Sequence, residues 1–103
     1  MSKKKITREY HPVICGMTGN ICISLSGRDA GKLMAVLGRS ENGYVYVADG
    51  RSRKMCAPKL KNSKHISVIG QAANGLHEMI ANGCADNALI KRAISSAAKE
   101  ILC

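Results

Sequence analysis

Short runs of alternating apolar and polar residues fill most of the chain, and a helical spacing of apolar residues replaces them near the end. The clearest alternation places Ile21, Ile23 and Leu25 on one side of an extended segment. Similar runs predict strands over residues 21–26, 32–38, 44–48, 51–56 and 65–69. Five short strands joined by tight turns are typical of a small barrel, so the pattern predicts a mainly β domain.

Turn-forming residues separate these predicted strands. Asn42-Gly43 precedes the strand over 44–48, and Asp49-Gly50 follows it. The second pair predicts a two-residue hairpin loop that leads directly into the strand over 51–56. Upstream, residues 13–17 are a candidate edge strand, and residues 18–20 are a predicted turn.

The last third of the chain has the periodicity of amphipathic helices. A first, short helix is predicted around Leu76 and Ile80, with Gly83 ending it. Asp86 is a predicted N-cap for a longer helix. The apolar stripe of that helix consists of Ile90, Ile94, Ala97 and Ile101. Because such a stripe is unfavourable in water, we expect the helix to pack on the barrel.

These patterns divide the chain into three parts. Residues 1–18 form a basic N-terminal extension, residues 19–70 the barrel, and residues 71–103 a helical tail. We expect the extension to be polar and the tail to add stability while the loops of the barrel carry the function.

The charge of the chain favours a polyanionic partner. The 103 residues include 16 Lys and Arg against 7 Asp and Glu, for a net charge of +9. No apolar run approaches the roughly 20 residues that span a bilayer, so we expect a cytoplasmic protein without a membrane partner. The cysteines number five, and an odd count argues against a complete disulfide framework.

A glycine loop, residues 27–32, is the first candidate site. It reads Gly27-Arg28-Asp29-Ala30-Gly31-Lys32 between two predicted strands. Glycine at both ends permits positive φ and leaves backbone N–H groups uncovered, and two cations accompany them. The loop is one residue shorter than a P-loop and leads into a predicted strand rather than a helix. This favours binding of a nucleic-acid phosphate backbone over binding of a nucleoside triphosphate.

A basic segment, residues 51–64, is the second candidate site. It carries six cations and no acid. Uncompensated cations repel one another unless an anion lies nearby, which favours a phosphate-contacting surface over a merely solvated loop. Arg51 and Arg53 would share one face of the predicted strand, and Lys59 and Lys61 repeat the same spacing.

Other chemistry has little support in the sequence. No Cys-x2-Cys pair exists, and His11-x3-Cys15 stands alone, so we expect no metal and no cofactor. No acid–base constellation is recognisable, so we expect no enzyme activity and no catalytic residue, although a Cys–His pair brought together by folding stays open. Aromatic residues are limited to three tyrosines, which favours structured RNA over single strands read by stacking.

Residues 19–69 resemble one protein family. The order of motifs is that of bacterial KOW-domain RNA-binding proteins related to large-subunit ribosomal proteins of the L-fourteen-e type. The motifs are Ser24 to Lys32, then Tyr44-Val45-Tyr46-Val47-Ala48-Asp49-Gly50, then the basic segment. The resemblance implies an SH3-like barrel and RNA, in particular ribosomal RNA, as partner. Ala30 departs from the lysine common at that position, and the tail is only loosely similar.

We therefore expect a non-enzymatic RNA-binding protein. The alternative is a KOW-type protein-interaction module that docks on the transcription or translation machinery. The sequence leaves the oligomeric state open. The residues expected to contact RNA are Gly27, Arg28, Asp29, Gly31, Lys32, Arg51, Arg53, Lys54, Lys59, Lys61 and Lys64.

Overall fold

The fold is a five-stranded antiparallel sheet followed by two helices. A computed structural model describes residues 12–40, 42–72 and 75–102. The elements are β1 (Asn20–Ser24), β2 (Leu33–Arg39), β3 (Tyr44–Ala48), β4 (Lys59–Asn62), β5 (Ile66–Gln71), α1 (Leu76–Ala81) and α2 (Asn87–Leu102). The N-terminal extension up to residue 11, the side chain of Ile101 and Cys103 lie outside the described residues.

The strands follow the order β4-β3-β2-β1-β5, and each pair is antiparallel. Residues 63–65 form a single 3₁₀ turn that joins β4 to β5, the two edge strands. A flat sheet would hold these edges about 19 Å apart, at about 4.8 Å per strand. The linking turn spans only about 8 Å, at about 2 Å per residue. The sheet is therefore strongly curled, although no ladder closes it in the described part of the chain.

Both faces of the sheet are apolar, which explains why β2 is buried at five consecutive positions. The inner face of the curled sheet is filled by Cys22, Met34, Val36, Val45, Val47 and Ile66. The outer face presents Ile21, Ala35, Leu37 and Ala48 to the helices. This second apolar face needs a cover, and the helical tail supplies it.

Helix α2 lies on the outer face across β1 and β2. Ile90 is fully buried and Ala93 nearly so, while Ile94 and Ala97 pack half-buried beside them. The Asp86 carboxylate accepts a hydrogen bond from the Leu89 N–H at 2.8 Å, which confirms the predicted N-cap. The prediction that the stripe packs on the β domain is also confirmed for its described members.

Most of the predicted elements are confirmed, with boundaries shifted by one or two residues. Four strands match those over 21–26, 32–38, 44–48 and 65–69, and the short helix ends where Gly83 adopts a φ of 72°. Residues 13–17 contribute only an isolated bridge between Val13 and Arg39 rather than a strand.

The strand predicted over residues 51–56 is wrong. Residues 49–58 form an irregular connection, and the fourth strand begins only at Lys59. The physical reason is the Asp49 side chain, which binds the backbone of the residues that follow it and so competes with strand pairing.

Candidate functional site

The glycine loop and the start of the basic segment lie at the same end of the sheet. The β1–β2 register pairs Ile23 with Leu33, so the glycine loop connects the strands at this end. The β2–β3 register pairs Ala35 with Ala48, so β3 finishes at the same end. Two stretches that are far apart in sequence therefore form one surface.

Positive φ angles shape the glycine loop. Gly27 has a φ of 77° and Gly31 a φ of 87°, as expected from the sequence. The Gly31 N–H donates to the Ser24 carbonyl at 2.8 Å, and the Ser24 N–H donates to the Lys32 carbonyl at 3.0 Å. The loop thus closes on the strand ends, and Arg28 and Lys32 remain exposed at its surface.

Asp29 turns inward instead of joining the exposed part of the loop. It is 4 % exposed, and its carboxylate lies 3.9 Å from the ammonium groups of both Lys32 and Lys59. This position makes Asp29 an internal counter-charge for two lysines. Its expected role as an RNA contact stays a prediction that the geometry does not favour.

Lys61 is also internal, although the charge pattern of the basic segment predicted a contact with phosphate. It is 6 % exposed, and its ammonium donates to the Ser26 carbonyl oxygen at 2.8 Å. The neighbouring Leu60 points outward and is 46 % exposed. Burial of Lys61 does not favour its expected contact with RNA. Lys59 keeps its side chain 32 % exposed beside Asp29, so its expected RNA contact stays a prediction.

The charge of Lys61 has one further effect inside the sheet. Burial raises the pKa of the Cys22 thiol to about 11, and the nearby Lys61 ammonium opposes this shift. The Cys22 thiol therefore stays protonated at neutral pH, as expected for a buried cysteine that packs as a small apolar side chain.

The Asp49 side chain organises the first part of the basic segment into a turn over residues 49–53. Its carboxylate accepts hydrogen bonds from the Arg51 N–H at 2.8 Å, the Arg53 N–H at 2.9 Å and the Ser52 hydroxyl at 3.0 Å. Partial burial raises the pKa of Asp49, but these bonds and the charge of Lys32 together hold it below its usual value.

Helix α2 fixes the position of this turn. The Asn87 side-chain oxygen accepts a hydrogen bond from the Met55 N–H at 2.9 Å. Gly50, with a φ of 80°, lies so close to the helix that a Cβ would approach the Asn87 carbonyl oxygen to 2.6 Å. The tail therefore positions the basic segment as well as covering the sheet.

Four cations of the surface lack a carboxylate partner in the described part of the chain. Arg28, Arg51 and Lys54 are exposed and Arg53 is half-buried. The ion pairs found among the described residues at this end involve only Asp29 with Lys32 and Lys59. Lys64 is exposed as well, on the 3₁₀ turn between the edge strands. An unpaired, loop-borne set of cations is suited to an anionic partner.

Sequence reasoning missed two residues of this end of the sheet. Asn87 anchors the basic segment and Lys91 adds a cation from α2, yet both are distant in sequence from the loops. A signal for Lys91 does exist, because it follows the capped start of α2 by one turn. Periodicity does not predict which residues of the loops lie beside Lys91 in the folded protein.

Comparison with known proteins does not assign this chain to a family. No protein-family model and no curated protein matches this chain. Among the described residues, no cluster of three or more His, Cys, Asp or Glu side chains has the geometry to hold a metal ion. None of the described helices is long and apolar enough to cross a membrane.

Proposed function

We propose that this protein binds structured RNA through the glycine loop and the first residues of the basic segment. The single observation that carries the proposal is the convergence of two cationic loops at one end of the sheet. Lys32 and Arg51, which are nineteen residues apart in the sequence, line the same groove. Phosphate groups at regular spacing are the natural counter-charge for such a surface.

The interior of the site supports a binding role rather than a catalytic one. Lys59 and Lys61 fix the glycine loop from behind, and the Asp49 carboxylate fixes the turn over residues 49–53. The cations that remain exposed are therefore carried on ordered backbone. Ordered donors lose less entropy when a phosphate binds, which favours affinity.

The family that the sequence resembles fits this proposal. The strand order, the short 3₁₀ turn between the edge strands and the strong curl are compatible with an SH3-like KOW domain. The same resemblance makes ribosomal RNA the specific partner that we propose, and a cytoplasmic location goes with it.

A protein-interaction module, the alternative function, needs an apolar surface that is free for a partner, such as the stripe of the tail. Ile90 is fully buried against the sheet and Ile94 is half-buried, so the stripe is largely occupied within the chain itself. The structure offers no separate observation that favours this alternative over RNA.

The salt dependence of RNA affinity tests the proposal. We expect a fluorescent RNA hairpin to bind the full chain with an affinity that falls steeply with salt. Replacing Arg51, Arg53 and Lys54 together by Gln removes three phosphate contacts. The variant should show a weaker affinity and a log–log salt slope that is flatter by about 3.

A matched control separates a site from general charge. Arg39, Arg92 and Lys99 are exposed cations away from the glycine loop, and replacing all three by Gln removes the same net charge. We expect this control to keep most of the affinity. Equal losses in both triple variants, or no RNA binding by the natural chain, would reject the proposed site.

A further inference from the structure

An open groove lies between the glycine loop, the turn over residues 49–53 and the flank of α2. Its volume is about 520 Å³. This volume lies within the range of roughly 300–1,000 Å³ that is typical of small-molecule sites. The groove is therefore large enough for one nucleotide.

Three cations from three different elements border the groove. Lys32 comes from the glycine loop, Arg51 from the turn and Lys91 from α2. All three side chains are exposed, and no ion pair between Arg51 or Lys91 and a described carboxylate is present. Their convergence favours a phosphate over any neutral ligand.

Part of the remaining wall of the groove is aliphatic. Leu33, Ile94 and Ala98 form this aliphatic part, beside the hydroxyl-bearing Ser52 and Ser95, and Leu33 and Ile94 are half-buried by their packing on the outer-face core. Asp49 also borders the groove, but its oxygens already accept three hydrogen bonds from residues of its own turn. A ligand with a charged end and a flat apolar part matches this arrangement of walls.

Resting on the proposed function, we propose that the groove binds a single unpaired nucleotide of the RNA. Its phosphate lies among Lys32, Arg51 and Lys91, and its base lies against Leu33 and Ile94. The surface then recognises a bulged or flipped-out nucleotide within structured RNA, and not only the phosphates of a duplex. The tail helix becomes part of the RNA-binding surface through Lys91.

Titration with three small probes tests this inference by amide NMR on the full chain. The probes are adenosine monophosphate, adenosine and inorganic phosphate. We expect the monophosphate to shift the amides of Leu33, Ile94 and Ser95, and to bind more tightly than either of the other two. Lys91→Gln should weaken its binding by about threefold to fivefold, the size expected for one exposed charge contact.

Arg92→Gln is the matched control, because Arg92 is an exposed cation on the same helix that does not line the groove. This variant should bind the monophosphate like the natural chain. Equal affinity for inorganic phosphate and the monophosphate, unshifted groove amides, or equal effects of the two variants would each overturn the inference.

The proposed function fails by a different result. If the RNA hairpin does not bind the natural chain in a salt-dependent way, RNA recognition itself is wrong. If the hairpin binds but the monophosphate leaves the groove amides unshifted, only the nucleotide groove is wrong.

Discussion

The ammonium of Lys61 lies 2.8 Å from the carbonyl oxygen of Ser26 and joins the edge strand β4 to the glycine loop. Lys61 is almost completely buried, so this bond replaces the hydration that the charge loses. The contact links two parts of the chain that are thirty-five residues apart. It makes the conformation of the glycine loop depend on the packing of β4.

Replacing Lys61 by Met should loosen the glycine loop without removing a phosphate contact. The Ser26 carbonyl would keep its hydrogen bond from the Ser24 hydroxyl but lose the one from Lys61. We expect this loss to cost about 1 kcal/mol, reduced by relief of the buried charge. Hydrogen exchange of the amides over residues 27–32 should accelerate, and the salt slope of RNA binding should stay close to that of the natural chain.

Lys64→Met is the control for this variant, because Lys64 is exposed. This variant should change the free energy of unfolding by no more than about 0.5 kcal/mol. Hydrogen exchange of the amides over residues 27–32 should stay as in the natural chain. If Lys61→Met flattens the salt slope and spares loop exchange, Lys61 contacts phosphate and does not hold the loop.

Alanine should cost more at Gly50 than at Gly31. Both have positive φ, which costs a residue with a Cβ about 1–2 kcal/mol. At Gly31 a Cβ would meet nothing within 4 Å, whereas at Gly50 it would approach the Asn87 carbonyl to 2.6 Å and the Lys91 side chain to 2.9 Å. Chemical denaturation should therefore show a larger decrease in the free energy of unfolding for Gly50→Ala than for Gly31→Ala. Equal decreases would contradict the close packing of the turn on α2.

The Asp49 turn predicts a pH dependence. The folded-state pKa of Asp49 lies below its usual value, so the ionised carboxylate stabilises the fold at neutral pH. This contribution is lost as the pH falls through the lowered pKa. Asp49→Ala should lower stability by about 1 kcal/mol near pH 7, a modest figure because the side chain is partly exposed.

The comparison of melting temperatures across pH checks this assignment. The difference in melting temperature between the natural chain and Asp49→Ala should become smaller as the pH falls from about 6 to about 3. A gap that stays constant over this range would show that the charge of Asp49 does not hold the turn.

Ile90 should be the most sensitive position of the tail. It is fully buried between α2 and the sheet, so Ile90→Ala should destabilise the protein by about 2–4 kcal/mol. Ile94 is only half-buried, and Ile94→Ala should cost less. If thermal unfolding shows no loss for Ile90→Ala, the helix does not pack on the sheet in solution.

The sequence predicted those parts of the fold that depend on local patterns. Alternation located the strands β1, β2, β3 and β5, and the Asp86 cap located the start of α2. Glycine at positions 27 and 31 predicted the positive φ angles of the loop. Each of these signals is contained within a few neighbouring residues.

Long-range contacts explain what the sequence could not predict. β4 places Leu60 outside and Lys61 inside, which reverses the usual polarity of a strand. Among the described residues, the Ser26 carbonyl, which is thirty-five residues away in the sequence, accepts the hydrogen bond that compensates the buried ammonium. The contribution of Lys91 to the groove likewise depends on how α2 lies beside the turn.

Mapping the sites of ultraviolet crosslinking between this protein and RNA, in the cells that make it, is the most direct test of the central claim. Peptides that carry nucleotide adducts identify the protein surface in contact, and the attached RNA identifies the partner. We predict adducts within residues 27–32 and 51–54, together with fragments of structured RNA. Absence of crosslinked RNA, or adducts confined to β5 and α1, would contradict the account.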